Sequence, residues 1–154
     1  MKKTIKTEKA LAAFRVLNTS KYTKMTDEDK IKVWKIARAL KPVAEKFEDD
    51  SKDAAEKFKP TEDFAERLQK AQEFERMRNA GEDMTDASMG AAEYDEFIKE
   101  FQKYNKTVAD AVKEFADKEV ELEFDVLTEE AFGKLMASNE WDMSQVMAIS
   151  EIVL

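Results

Sequence analysis

Two pairs of carboxylates have a spacing that could support catalysis. Glu93 and Glu96 form the first pair, Glu114 and Asp117 form the second, and 17 residues separate the pairs. Acids three residues apart lie on one face of a helix, where their oxygens could hold Mg²⁺ against the phosphates of a nucleotide. The chain contains 34 acidic residues, so such pairs also arise by chance. We favour a solvated acidic face as the interpretation.

The composition excludes most other chemistry, because the chain has no His and no Cys. A Ser-His-Asp triad, a Cys nucleophile and ordinary zinc or haem sites all need one of these residues. Three acids at Glu82, Asp83 and Asp86 lack the central Gly and the final Glu of an EF-hand calcium loop. We therefore assign no catalytic residue, no metal ligand and no cofactor, and we expect a non-enzymatic protein.

The paired acids resemble the motif of all-α nucleoside-triphosphate pyrophosphatases of the MazG type. In that family the two acidic motifs lie on neighbouring helices that face one another, and the resemblance implies Mg²⁺-dependent hydrolysis of a nucleotide. No helix break separates the pairs here, and one continuous helix would place them about 30 Å apart. This activity is an alternative that we do not favour.

The low content of helix-breaking residues, 3 Gly and 2 Pro in 154 residues, favours long helices. The length fits a single domain over residues 1–154. We predict a mainly α fold, an elongated bundle of about four helices with a C-terminal β element and a short terminal helix. The predicted helices cover residues 7–17, a long segment that starts after Thr26 and is kinked or interrupted at Pro42, a segment between Thr61 and Gly81, and residues 91–117. Residues 82–90 carry turn formers and are predicted to be a flexible loop.

The C-terminal part, residues 119–154, is predicted to be an α/β element packed on the bundle. Residues 120–126 alternate between apolar and acidic side chains, which indicates a strand with one solvent-exposed face. A strand needs a partner for its backbone groups. The candidates are residues 149–154, residues 3–6 and a second chain. A short helix capped by Thr128 follows, and the tail continues as helix or as strand.

Charge is distributed unevenly along the chain. Residues 1–25 carry +6, and residues 26–154 carry −14, for a total of −8. A basic N-terminal segment followed by an acidic remainder suits docking onto an acidic surface or head-to-tail self-association. A solvated Lys-rich terminus is the simpler interpretation. We expect a protein partner or self-association, and neither nucleic acid, a small molecule nor a membrane. The candidate interface residues are Trp141, Val120, Leu122, Phe124, Lys2, Lys3 and Lys6.

The large apolar residues at helical spacing are interpreted as core. Phe47, Phe101 and Val108 are expected to be buried. Trp34 and Trp141 are also expected in the core, with an anchor at an interface as the alternative for either ring.

Residues 33–58 and 119–154, about 40 % of the chain, resemble small uncharacterised helical proteins of tailed bacteriophages. The resemblance rests on the apolar stretch Lys-Ile-Ala-Arg-Ala-Leu-Lys-Pro at 35–42 and on Glu-Val-Glu-Leu-Glu-Phe at 119–124. It implies a phage origin and no specific activity. We predict an interaction or assembly protein in the bacterial cytoplasm or the virion. The alternative is an acidic inhibitor that mimics nucleic acid on a host defence enzyme.

Overall fold

A computed structural model describes all residues, 1–154. The chain is 71 % helical with one small sheet, which confirms the mainly α prediction. Six α-helices are present, because the tail also forms a helix. None of them is long and apolar enough to cross a membrane. The elements are β1 Lys2–Lys6, α1 Thr7–Asn18, α2 Asp27–Lys57, α3 Phe64–Asn79, α4 Ala91–Asp117, β2 Glu119–Glu123, α5 Glu129–Ala137 and α6 Met143–Val153.

The chain forms two compact units, each with its own hydrophobic core. Unit 1 comprises Met1–Asp50 and Lys113–Leu154, and unit 2 comprises Ser51–Val112. The core of unit 1 is mostly aliphatic, whereas that of unit 2 is mostly aromatic. The fully buried large side chains of unit 1 are Leu17, Val33, Ile36, Leu40, Leu135, Ile149, Ile152 and Val153.

Helix α2 begins where its cap predicts and runs through Pro42. The Thr26 hydroxyl accepts a hydrogen bond from the Asp29 N–H at 3.2 Å, which confirms the cap. The helix then runs without a break through Pro42 to Lys57, so the predicted long helix containing Pro42 is present and the alternative of an interruption there is wrong. An interior Pro costs roughly 3 kcal/mol. Buried Leu40 and Ala44 on either side of Pro42 provide packing that offsets this cost.

The first half of α2 buries a different face from the expected one. Ile31 and Trp34 are exposed, and Val33 and Ile36 fill the core instead. The prediction that Trp34 is core is therefore wrong. Apolar residues at consecutive positions form two overlapping stripes, and periodicity alone does not select between them. The three other positions predicted as core, Phe47, Phe101 and Val108, are each half-buried rather than fully enclosed.

The predicted strand finds its partner at the N-terminus of the same chain. Strands β1 and β2 pair antiparallel, with Lys3 opposite Leu122 and Ile5 opposite Val120. The strand does not pair with the tail, which is helical. Strand β2 stops at Glu123, short of the predicted Val126, although the Phe124 N–H still donates to the Met1 carbonyl at 3.2 Å.

Several hydrogen bonds join segments of unit 1 that are distant in sequence. The buried Thr7 donates to the Lys118 carbonyl from both its N–H, at 2.9 Å, and its hydroxyl, at 2.7 Å. The Leu127 N–H donates to the Val153 carbonyl at 2.7 Å. The two Thr7 bonds join the start of α1 to the residue that precedes β2. The Leu127 bond joins the segment before α5 to the end of α6.

Unit 2 is built from the end of α2, from α3 and the loop after it, and from most of α4. Helix α3 ends at the predicted Gly81, whose φ of 69° is left-handed. The Gly81 N–H donates to the Arg78 carbonyl, and the Glu82 N–H donates to the Met77 carbonyl. This pair of bonds is a Schellman motif, which favours Gly at that position. The following loop contains a 3₁₀ turn, Met84–Asp86, and buries Met89.

Two Gly→Ala changes are expected to shift stability in opposite directions. No atom lies within 4 Å of a Cβ added at Gly81 or at Gly133, so backbone conformation alone decides the outcome. Gly81→Ala places a side chain in the left-handed region and should destabilise by about 1–2 kcal/mol. Gly133→Ala, inside α5, should stabilise by about 0.5–1 kcal/mol. Urea denaturation of both variants checks this, and a shift of the same sign in both would contradict it.

Candidate functional site

Helix α2 presents two large apolar side chains to solvent. Trp34 is 56 % exposed and Ile31 is 54 % exposed. The two residues are three positions apart, so they share one face of the helix. Single exposed apolar residues are normal on protein surfaces, but an exposed Trp beside a second large apolar residue is typical of an interface anchor.

Basic residues surround these two side chains. Residues 30–41 contain five Lys or Arg and no acid, in a chain whose net charge is −8. The Arg38 guanidinium lies over the Trp34 ring, with Cζ 5.3 Å from the ring centroid. We call Ile31, Trp34, Lys35 and Arg38 the α2 face.

The two cations of the α2 face are available to a partner. Other cations of this stretch pair with acids of α2 itself, Lys32 with Glu28 at 3.8 Å and Lys41 with Glu45 at 3.7 Å. Lys35 and Arg38 form no ion pair, and Arg38 has only its contact with the Trp34 ring. The α2 face can therefore offer an apolar anchor and two unpaired positive charges.

Unit 1 also carries a strongly acidic stretch. Residues 119–130, which we call the acidic segment, contain six acids and no Lys or Arg. Within it, Glu121 pairs with Lys2 at 3.3 Å and Glu130 pairs with Lys134 at 3.2 Å. The remaining acids are exposed and form no ion pair: Glu119, Glu123, Asp125 and Glu129.

A second apolar surface lies on α6. Met143 is 70 % exposed and Met147 is 63 % exposed, and the two lie four residues apart on one helix face. Methionine surfaces adapt to partners of different shape. No charged residue separates these two side chains along the helix, so this surface carries no charge pattern that would select a partner.

The predicted basic interface residues have different roles in the structure. Lys2 and Lys6 lie on the outer face of the sheet, where Lys2 pairs with Glu121 and Lys6 lies 3.9 Å from Asp117. Lys3 is half-buried and its Nζ donates to the Ile152 carbonyl at 2.9 Å. Lys3 therefore supports the last turn of α6 inside unit 1.

The predicted apolar interface residues all face inward to some degree. Val120 and Leu122 are half-buried on the inner face of β2, and Phe124 is buried in the core of unit 1. Trp141 is half-buried and its ring centroid lies 6.5 Å from that of Phe132. The structure thus brings these residues together within unit 1 as parts of its core or its margin.

The paired acids of the pyrophosphatase-like motif all lie on α4. They are not on two neighbouring helices that face one another, as the resemblance requires. No group of three or more acidic side chains is arranged to hold a metal ion. The geometry therefore offers no support for the Mg²⁺ site.

Unit 2 contains a pocket of about 560 Å³ between the end of α3, the loop and the start of α4. The Arg78 guanidinium lies over the rings of Phe74 and Tyr94, at 5.6 and 5.2 Å. A hydrogen bond from the Thr85 backbone N–H lowers the pKa of Asp83 at the rim. The lining residues are Phe74, Arg78, Asp83, Met84, Thr85, Met89, Gly90, Ala91 and Asp95.

The sequence interpretation missed the α2 face because it assigned Trp34 to the core. The run of five cations without an acid at 30–41 was the signal that could have identified it.

Comparison with known protein families, curated proteins and solved structures finds no match to the chain. Its surface chemistry is therefore the basis for a functional assignment.

Proposed function

We propose that this protein is a non-enzymatic interaction or assembly protein that binds another protein through the α2 face. The exposure of Trp34 is the observation that carries the proposal. Trp and Arg are the residues most enriched among those that dominate binding energy at protein interfaces. Here the two side chains are in contact, and Arg38 has no acidic partner within the chain.

We further propose that the protein comes from a tailed bacteriophage and acts in the cytoplasm of the bacterial host or in the virion. The support is the resemblance of residues 33–58 and 119–154 to small phage proteins. The assembly role fits this origin, because virion proteins act through contacts with copies of themselves and with one another.

A second candidate function is an acidic inhibitor that occupies the nucleic-acid groove of a host enzyme. The four unpaired acids of the acidic segment favour this role, since they could replace phosphates. The cations at 30–41 and at the N-terminus oppose it, because a basic groove would repel them. Binding of such an inhibitor should weaken steeply as salt is raised, and salt-insensitive binding would contradict it.

The interaction role is tested by placing a photo-cross-linking amino acid at Ile31, beside the intact Trp34. The variant is irradiated both as purified protein and in a bacterial lysate. We expect a covalent protein product from position 31 and none from the same amino acid at exposed Gln72 on α3.

A Trp34→Ala change in the same protein should abolish the product. Because Trp34 is largely exposed, this change should alter the free energy of unfolding by only about 0.5 kcal/mol. Equal products from positions 31 and 72, or no product in either sample, would contradict the proposed role of the α2 face.

A further inference from the structure

We infer that the partner of the α2 face is the acidic segment of a second copy of this chain. The inference rests on the proposed interaction role and names the partner for it. The contact would place Trp34, Lys35 and Arg38 of one copy against residues 119–130 of another copy.

Charge complementarity is the first argument. Residues 30–41 carry +5 and residues 119–130 carry −6. Both surfaces keep unpaired charges: Lys35 and Arg38 on one side, and four exposed acids on the other. Opposite potentials of this kind steer association and fix its orientation.

The outer face of the sheet can also receive an aromatic ring. This face consists of Lys2, Thr4 and Lys6 on β1 and of Glu119, Glu121 and Glu123 on β2. Long Lys and Glu side chains have methylene stems that offer apolar surface below their charged ends. The Trp34 ring can therefore pack on these stems while the flanking cations meet the carboxylates.

The proposed contact joins two different surfaces of the same chain. Made head to tail, this contact leaves one α2 face and one acidic segment free in every dimer, so a third copy can add. The product is a ring or a filament, which agrees with an assembly role.

The test uses light scattering on a sizing column with the purified full chain. At about 50 mM salt we expect the mass to rise above 17.7 kDa as protein concentration increases. At about 500 mM salt we expect the monomer mass, because screening removes the attraction between the two surfaces.

A matched pair of charge variants tests the α2 face. Lys35→Gln/Arg38→Gln should weaken self-association by about tenfold or more. Lys99→Gln/Lys103→Gln removes the same amount of charge from exposed positions of α4 and should leave self-association unchanged. Circular dichroism of both variants confirms that they are folded.

Complementation tests the acidic segment. A variant in which the four unpaired acids are neutralised, Glu119→Gln/Glu123→Gln/Asp125→Asn/Glu129→Gln, should be monomeric by itself. Mixed with Lys35→Gln/Arg38→Gln, it should form a one-to-one dimer that does not extend, because the mixture contains one intact copy of each surface.

Three results would overturn the inference: a wild-type chain that stays monomeric at low salt, normal association of Lys35→Gln/Arg38→Gln, or no dimer in the mixture. The cross-link from position 31 then separates the two proposals. A product that contains a different protein would retain the interaction role, whereas the absence of any product would overturn both.

Discussion

Replacing Phe97 with Ala is expected to destabilise the protein by about 3–5 kcal/mol. Phe97 is fully buried at the centre of unit 2. Its ring lies 5.6 Å from that of Phe64 and 5.9 Å from that of Phe101, and the Arg67 guanidinium lies 5.2 Å from its centroid. The change would leave a cavity among large rings, which cannot collapse without leaving their rotamers.

The measurement is urea denaturation followed by far-ultraviolet circular dichroism. Met147→Ala is the control, because it also removes a large apolar side chain but from a mostly exposed position. It should change the free energy of unfolding by only about 0.5 kcal/mol. A loss of less than about 1 kcal/mol in Phe97→Ala would show that the aromatic core of unit 2 is not packed as described.

Replacing Ile152 with Ala should cost about 2–5 kcal/mol. Ile152 is fully buried in the core of unit 1, near the end of α6. Its own carbonyl accepts the Lys3 Nζ at 2.9 Å, and the carbonyl of the next residue, Val153, accepts the Leu127 N–H. The change leaves these backbone acceptors in place, so the expected loss comes from the buried side chain.

Leu154→Ala is the matched control for Ile152→Ala. It removes an apolar side chain two residues further along the chain, from a position that is 42 % exposed. We expect a change of about 0.5 kcal/mol or less in thermal or urea unfolding. If the tail were a terminal strand instead of a helix, residues 152 and 154 would face the same side. Similar losses from both variants would therefore contradict the helical tail.

The surface proposed to bind a partner differs from the one that the sequence indicated. Lys3 and Phe124 were candidate interface residues, but one supports the end of α6 and the other lies in the core. Trp34 was expected in the core and is exposed instead. Both differences have the same origin, because a side chain's distance from solvent depends on which elements pack against it.

The sequence alone determined the features that depend on near neighbours. Thr26 and Thr128 cap their helices as predicted, and Gly81 ends α3, because each bond involves groups only a few residues apart. Helix α4 has the predicted bounds, Ala91–Asp117. The alternation at 120–126 correctly indicated a strand as far as Glu123, since period two is a local property of the backbone.

Only the tertiary structure decided the features that join distant residues. The partner of β2 is β1, more than 100 residues away, and the tail is a helix because Ile149, Ile152 and Val153 fill the core of unit 1. The continuity of α2 through Pro42 and the exposure of Trp34 follow from burial of Val33, Ile36 and Leu40. The local propensities of the competing conformations differ by at most a few kcal/mol in total. The apolar area buried between distant segments therefore decides which of these conformations forms.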